Sequence, residues 1–479
     1  MVFSNSVFLF IFLPIVLVGY YILKGKIRNY WLLAVSLVFY GWNKPEFLWI
    51  LIASILINYV GALLIEKTPS KSMKLVELVA CVGLNLLLLF YFKYFNFAVS
   101  IVEDLLKRSF NFTQVILPID ISFFTFQGLS YAVDVYRGDV AAQKNPFKLG
   151  MYISLFPQLV AGPIVRYKDV AEEIENRTVT IHDFADGCRR FVVGLFKKII
   201  IADTLAVVAD AIVEASYTAS NTPVIAWIGI VSYSLQLFFD FSGYSDMAIG
   251  LGRMFGFHFL ENFNFPYIAK SISEFWRRWH ISLSSFFRDY VYIPLGGNRK
   301  HVYLNVSIVF LLTGIWHGAS YSFIFWGIWH GMFNLAERFF RQRGKAVQPS
   351  QRKPVVAVLT ATIQHIYTLL VVMVGWVFFR VPGLKNGYRY LLSMIGLHND
   401  PAQCYLLPSY YLDRWAMFAL ILGVFMATPM PSMIVKAIGK KLPEPAANII
   451  RDVALLAALF LCILQVASNT YSAFIYFQF

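Results

Sequence analysis

The pentapeptide GIWHG occurs at residues 314–318 and again at 327–331, within a stretch that is otherwise aliphatic and aromatic. Each copy puts a histidine, His317 or His330, where hydrocarbon is expected. Imidazole can give or take a proton near neutral pH. Placing an ionisable side chain in an apolar span costs on the order of a few kcal/mol, so both histidines are candidates for function. The plainer alternative is that each only hydrogen-bonds a neighbouring helix.

A second group lies in SEFWRRWHISLSSFFRDYVYIPLGGNRK, residues 273–300. Wound as a helix, Phe275, Trp279, Phe286 and Tyr290 fall broadly along one side, while Arg277, His280, Ser284 and Arg288 recur at steps of three and four on another. Such a polar stripe could line a cavity, with His280 facing reacting groups and the arginines meeting phosphates, which guanidinium suits. It could equally belong to an amphipathic helix at the membrane surface. A third group, Asp240 and Asp246, sits in apolar surroundings. Six residues apart on a helix they share no face, which argues against a paired-carboxylate mechanism and for a structural role holding arginine or histidine partners. The nearby GLGRMFG follows no strand, so Gly252 and Gly256 are expected to form a small-residue helix contact rather than a phosphate loop. HExxH, GxSxG and Walker sequences are absent.

The elements that must position these residues are membrane helices. The 479 residues are 58% hydrophobic and 14% charged, against about 45–50% and 25% for soluble domains, so the chain is expected to be an all-α polytopic membrane protein. Apolar windows near 7–23, 47–65, 75–95, 222–250, 303–336, 355–379, 414–428 and 453–476, with shorter ones at 30–42, 115–133 and 147–165, predict ten or eleven segments, some of them re-entrant or interfacial. The first window lacks a basic leader and a small-residue cleavage site and is expected to be a retained span. The 303–336 window is too long for one straight span and must break, and the break is expected at HGASYS, residues 317–322. On an unbroken helix the two histidines would stand about 20 Å apart along the axis and on different faces, and could share a site only if the break folds them together. Their positions favour His317, which lies at the expected bend, over His330, which lies near a basic boundary.

Lys and Arg total 41 against 27 Asp and Glu. In a membrane protein such an excess is expected to face cytoplasm and anionic lipid, and no basic tract interleaves with the stacking platform that nucleic-acid binding uses. Lys24, Lys26 and Arg28 after the first span, and Lys67, Lys71 and Lys74 after the third, predict an extracytoplasmic N-terminus. The basic segment 337–353 is expected in the cytoplasm. The four cysteines are isolated, without the spacing of a metal site or disulfide framework. No linker divides the chain, so residues 1–479 are expected to form one membrane domain with its catalytic core at about 115–340.

Beyond these local readings, the chain resembles the membrane-bound O-acyltransferase superfamily, in its bacterial branch of alginate O-acetyltransferases and related cell-wall acyltransferases. The resemblance runs through FPQLVAGPIVRY at 156–167, GLFKKIIIADTLA at 194–206, DFSGYSDMAIGLGRMFGF at 240–257, NFNFPYIAKSISEFWRRWHISLSSFFRDYVYIPLGGNR at 262–299, and LTGIWHGASYSFIFWGIWHG. It implies a helical fold around a central funnel, where a cytoplasmic acyl thioester meets an acceptor from the other side. It implies catalytic roles for His317, in the TGIWHG setting, and His280, in the WRRWHISLS setting, but not for His330. His317 would serve as base or transient acyl carrier, and His280 would orient the acceptor or stabilise the developing oxyanion. Arg277, Arg288 and Ser284 would contact the donor, with Asp240, Asp246, His330 and Trp316 supporting. No tightly bound cofactor is expected, and acetyl-CoA is the implied acyl donor. A protein-tethered thioester, as in D-alanyl transfer to teichoic acid, is the rival. The implied acceptor is a hydroxyl of alginate or another exopolysaccharide, with peptidoglycan or teichoic acid as alternatives, reached through a separate extracytoplasmic acetyltransferase or esterase-like partner at the bacterial cell membrane. From other classes, a proton-coupled transporter and an inactive scaffold of a polysaccharide machine are the competing readings.

Overall fold

The computed structural model describes residues 1–118, 120–160, 162–218, 222–343, 354–398 and 407–468, and among these it contains helices and their connections but no strand. Among the described residues five helices are long and apolar enough to cross a bilayer: Pro45–Lys67, Lys71–Leu106, Pro223–Met254, Pro354–Arg380 and Glu444–Ser468. Arg414–Met426 and Met430–Gly439, bent by 73° at their junction, would together make a sixth. The other expected segments fall on shorter helices, Phe8–Ile22, Ile27–Gly41, Ile121–Arg137 and Pro146–Ser154, while the 303–336 window becomes two helices, Val302–His317 and Tyr321–Arg343. The protein is therefore an all-α polytopic membrane protein. Residues 344–353 of the basic segment, Cys404 and the end of the last apolar window lie outside the described residues.

Helix Pro223–Met254 runs through the interior, buried on nearly every side, which suits a helix surrounded by others. Its main partner is helix Ile181–Phe196, started by a capping box in which Thr180 and Asp183 bond each other's backbone N–H. Each of these helices carries two glycines seven residues apart. A Cβ on Gly187 would lie 2.6 Å from the carbonyl oxygen of Gly250, and one on Gly194 would lie 2.5 Å from that of Gly243. The two backbones thus touch at matched points of an antiparallel crossing, as small residues permit in membranes. The contact expected of Gly252 and Gly256 is not formed. Gly252 faces the Phe259 ring, and Gly256, at φ +80°, ends the helix in the left-handed conformation that glycine adopts without strain.

Buried charges tie the same two elements together. A π-helical turn, Lys197–Asp203, continues from helix Ile181–Phe196 and turns its two lysines toward different carboxylates. Lys198 Nζ lies 2.6 Å from Asp240 and 2.7 Å from Asp203, while Asp246 accepts from Lys197 at 2.6 Å and Arg190 at 2.7 Å. Asp240 and Asp246 thus act as separate inter-helix ties.

Candidate active site

Helix Val302–His317 ends where Gly318 runs extended, and Tyr321 begins a return helix. At the open end of this hairpin Arg338 donates to Asn298 Oδ1 at 3.1 Å, and the Tyr303 hydroxyl donates to Gln342 at 3.0 Å. In between, the first glycines of the two GIWHG copies meet. A Cβ on Gly327 would lie 3.1 Å from Gly314 Cα and 2.5 Å from the Phe310 carbonyl oxygen. The break therefore folds the copies onto one another, so the separation of an unbroken helix does not apply. Trp326 bridges the histidines, its ring centroid 4.8 Å from that of His317 and 5.1 Å from that of His330.

The two histidines differ in what they face. His330 is fully buried among Trp276, Trp326 and Trp376, and Gly375 leaves space for its ring, since a Cβ there would lie 2.4 Å from His330 Nε2. His317 lines two voids. One is a cavity of about 590 Å³ bordered by Arg277, His280, Ser284, Arg288, Thr313 and His317, among others, which reaches Asn298, Arg338 and Arg341 at the hairpin's open end. The other, of about 20 Å³, is lined by Lys93, Asp120, Ser122, Phe123, Trp316 and His317. The 16 residues of helix Val302–His317 span about 24 Å, most of a hydrocarbon core of about 30 Å. His317 thus stands at the inner end of the large cavity, with the small void beyond it.

His280 reaches the cavity from a break rather than from the single helix expected over 273–300. Helix Ile272–Arg278 is started by Ser271 and by Glu337 of the hairpin, whose carboxylate accepts from Ile272 N at 2.6 Å and Ser273 N at 3.0 Å. The chain then turns through His280 at φ +44° and resumes as Ile281–Phe287, followed by a π-helical turn over Arg288–Tyr292. A left-handed histidine is an uncommon, strained choice. It is held by the extended segment alongside, where Ile281 N donates to the Asn262 carbonyl at 2.9 Å.

The Asn262 side chain fixes the imidazole. Its Oδ1 accepts from Ser282 N at 3.2 Å and Ser282 Oγ at 2.9 Å, while its Nδ2 donates to Ser245 at 3.0 Å. The backbone donor identifies Oδ1 as the acceptor, so His280 Nδ1, 3.1 Å away, carries the proton. Neutral His280 then presents at Nε2 a lone pair, which is buried and without a partner. It can accept a hydrogen bond there. It cannot donate one to an oxyanion without first gaining a proton, so the geometry favours orienting a donor group over oxyanion stabilisation.

The cavity is strongly basic toward its mouth. Arg277 donates to the Ser273 carbonyl and Ser284 Oγ donates to that of Trp276. Arg288 is paired with Asp289 at 2.7 Å. Burial would push the Asp289 carboxyl up, but Arg288 and then Arg166 and Lys168 outweigh it and hold it below the usual carboxylate range. Among the described residues no carboxylate pairs with Arg277, Arg338 or Arg341, which leaves their guanidinium groups available to an anionic ligand. Trp316 faces the small void instead. It packs on Phe123 and Phe126, and its carbonyl accepts from Lys93 at 2.5 Å.

The sequence reading did not single out Asn262, Lys93, Asp120, Asn298, Arg338 or Arg341. Asn262 lies in an extended segment where helical periodicity has nothing to register. The two arginines follow the second GIWHG, and only the hairpin brings them back to the cavity of the first.

This arrangement sits within a chain whose residues 144–377 match the model of the membrane-bound O-acyltransferase family. The probable alginate O-acetylase AlgI of Pseudomonas putida is 44% identical over 401 residues, covering 81% of this chain and 79% of that one. Its counterpart in Pseudomonas aeruginosa is 44% identical over 402 residues, covering 82% and 75%. The peptidoglycan O-acetyltransferase of Helicobacter pylori is 35% identical over 441 residues, covering 85% and 82%. With similarity of this extent running through both histidines and the helices that carry them, the chain belongs to the membrane-bound O-acyltransferase family.

Proposed function

We propose that this protein transfers an acyl group, most simply acetyl from acetyl-CoA, to hydroxyls of an extracytoplasmic polysaccharide, with His317 as general base. The observation that carries this is the placement of His317 between two voids, one large, basic and open at the hairpin end, the other small and beyond it. A donor entering from the basic side sets its phosphates among Arg277, Arg338 and Arg341, with Arg288 and Ser284 further in and its thioester near His317. The acceptor approaches from the other side. As its oxygen attacks the acyl carbon, its proton passes to His317. The carbon–sulfur bond then breaks and the thiolate takes the proton from the imidazolium, leaving ester and free thiol. His280 accepts a hydrogen bond at Nε2 and orients the reacting groups.

The basic cavity mouth fits the cytoplasmic face of the bacterial inner membrane, with the N-terminus extracytoplasmic. The catalytic core, about 115–340, holds both histidines, while the last helices complete the membrane domain. The AlgI relatives support an alginate-like acceptor, and the acyl group reaches it through a separate extracytoplasmic acetyltransferase or esterase-like partner. The Helicobacter pylori relative supports peptidoglycan as the second reading. His317→Ala should abolish polymer acetylation while the protein remains folded and inserted. Mass analysis of secreted polymer and of cell wall, with and without the protein, identifies the acceptor. Unimpaired acetylation of every polymer in the His317→Ala strain would refute the assignment. Turnover with a carrier-bound thioester but not with acetyl-CoA would replace the donor.

A further inference from the structure

A groove of about 770 Å³ lies away from both histidines, between helix Ile181–Phe196, helix Met430–Gly439 and the start of helix Glu444–Ser468. Pockets that hold a small ligand run from about 300 to 1,000 Å³. Its level in the membrane is set by the end of helix Pro223–Met254, where the hydroxyls of Tyr20 and Tyr21 donate to the carbonyls of Phe255 and Met254, both at 2.6 Å. Arg253, beside them, therefore lies at the same face as Lys24, Lys26 and Arg28, the basic turn read above as cytoplasmic.

Along helix Pro223–Met254 the groove extends from Arg253 inward to Asp246, about 10 Å. The headgroup layer on each side of a bilayer is only about 5–8 Å deep, so the inner end lies among acyl chains. The walls suit that position: Val435, Ile438 and Ile450 line the groove with more than half their surface exposed, and Val193 and Leu455 lie deeper. Arg189, Arg190, Arg253 and Arg451 line the same space. Two of them are well paired, Arg189 with Asp452 and Asp186, each at 3.0 Å, and Arg190 with Asp246 at 2.7 Å and with Glu261. The other two are not. Arg451 reaches Asp452 through Nε alone, at 3.1 Å, and that carboxylate is already held by both Nε and a terminal nitrogen of Arg189. Among the described residues the one carboxylate within 4 Å of Arg253 is Asp186, 3.9 Å away and bonded to Arg189. Lys436, Lys440 and Lys441, on and just after helix Met430–Gly439, add three exposed cations.

A soluble anion here would leave the apolar walls bare, and a hydrocarbon chain alone would leave two guanidinium groups without a counter-ion. An amphiphile with an anionic head meets both needs. We propose that the groove binds one anionic phospholipid of the inner leaflet, with its phosphate between Arg253 and Arg451 and an acyl chain along Val435, Ile438 and Leu455. Guanidinium matches phosphate in shape and charge, and basic pockets between membrane helices at the cytoplasmic side suit such head groups. Arg253 belongs to the central helix and Arg451 to the last one, so the bound lipid ties the last membrane helix to the core. It takes no part in acyl transfer, and the proposal stands apart from that reading.

The test uses the full chain purified in a neutral detergent, with three additives at equal concentration: phosphatidylglycerol, phosphatidylcholine with the same acyl chains, and glycerol phosphate, an anionic head without chains. A basic side chain near the membrane surface favours an anionic lipid by about fivefold, so two such arginines should give phosphatidylglycerol a preference of about 5- to 30-fold. The native mass spectrum should retain one such lipid per chain, and the Tm should rise with phosphatidylglycerol above its value with either other additive. In the double variant Arg253→Gln, Arg451→Gln the preference should fall to about twofold or less. Its Tm without lipid should stay near that of the wild type, because exposed pairs contribute little to stability. A phosphatidylglycerol with a photoreactive acyl chain should label helix Met430–Gly439 or the start of helix Glu444–Ser468. Equal binding of the two lipids, a preference that survives in the double variant, or labelling only at other helices overturns the inference. Stabilisation by glycerol phosphate equal to that by phosphatidylglycerol also overturns it, and makes the groove a site for a soluble anion.

Discussion

Asn262→Ala tests the site at a residue that touches neither void containing His317. Asn262 is 1% exposed and its side chain makes four hydrogen bonds, to His280, Ser282 twice and Ser245. Truncation leaves the Ser282 N–H and the His280 Nδ1–H buried without that acceptor, at about 1–3 kcal/mol for each group that finds no other partner. It also frees the imidazole to exchange tautomers and to turn. A misplacement of about 1 Å at a reacting group can cost about 10²-fold in rate, or about 2.7 kcal/mol on the barrier. The expected result is a fall in kcat of about that size at saturating donor, with donor KM nearly unchanged because Asn262 does not border the basic cavity. Acetyl transfer in membranes gives kcat and KM, and a thermal melt of the same preparation separates lost orientation from lost fold. His280→Gln, which retains an acceptor near the position of Nε2, should keep more activity than His280→Ala. A well-folded Asn262→Ala with kcat within about twofold of wild type would refute the assignment of Asn262 as the residue that aims His280.

Two further outcomes follow from the geometry. Arg338→Ala should raise donor KM by about 10-fold or more, since a hydrogen bond to a charged group contributes about 1.5–3 kcal/mol. Arg288→Ala should do less, because Asp289 keeps its proton off until well into the acid range and so competes for Arg288 throughout the working pH range; steady-state kinetics with varied acetyl-CoA compares the two, and equal effects would argue against it. Gly327→Ala puts a methyl 2.5 Å from the Phe310 carbonyl oxygen, where only backbone movement can relieve it, and should lower stability by about 1–3 kcal/mol as a drop in Tm.

What could be read in the sequence, and what could not, divides along a physical line. Helical class and membrane residence follow from composition and hydropathy, which are local. His317, His280, Arg277, Ser284 and Arg288 stand out as polar residues in apolar or aromatic surroundings, and the folded chain places all five on one cavity. The helix expected to carry four of them breaks at His280, because a left-handed residue stabilised by bonds from Asn262 leaves no periodic trace. The same is true of Gly187 and Gly194 against Gly243 and Gly250. Each heptad pair is visible in the sequence, but only a crossing of the two helices makes them a contact, and that information is long-range.

The repeated pentapeptide shows how one local sequence takes two roles. Gly314 and Gly327, the first residue of each copy, are a packing device that lets the two arms of the hairpin touch at their backbones. The tryptophans turn to other helices: Trp316 packs on Phe123 and Phe126, and Trp329 donates its indole N–H to the Val371 carbonyl at 2.9 Å. The histidines then differ only in what the rest of the protein brings to them. Helix Pro354–Arg380 offers His330 a glycine and a tryptophan, and it is sealed. His317 falls at the turn, where no helix continues to cover it, and the space left open on one side is the basic cavity and on the other the void held by Lys93 and Asp120. On the proposed reading of His317 as base, reactivity belongs to the end of the hairpin rather than to the pentapeptide. A histidine moved one turn back along helix Val302–His317, into the apolar row at Thr313, would keep the cavity contact but lose contact with the void beyond. On this reasoning it could meet the donor and not the acceptor.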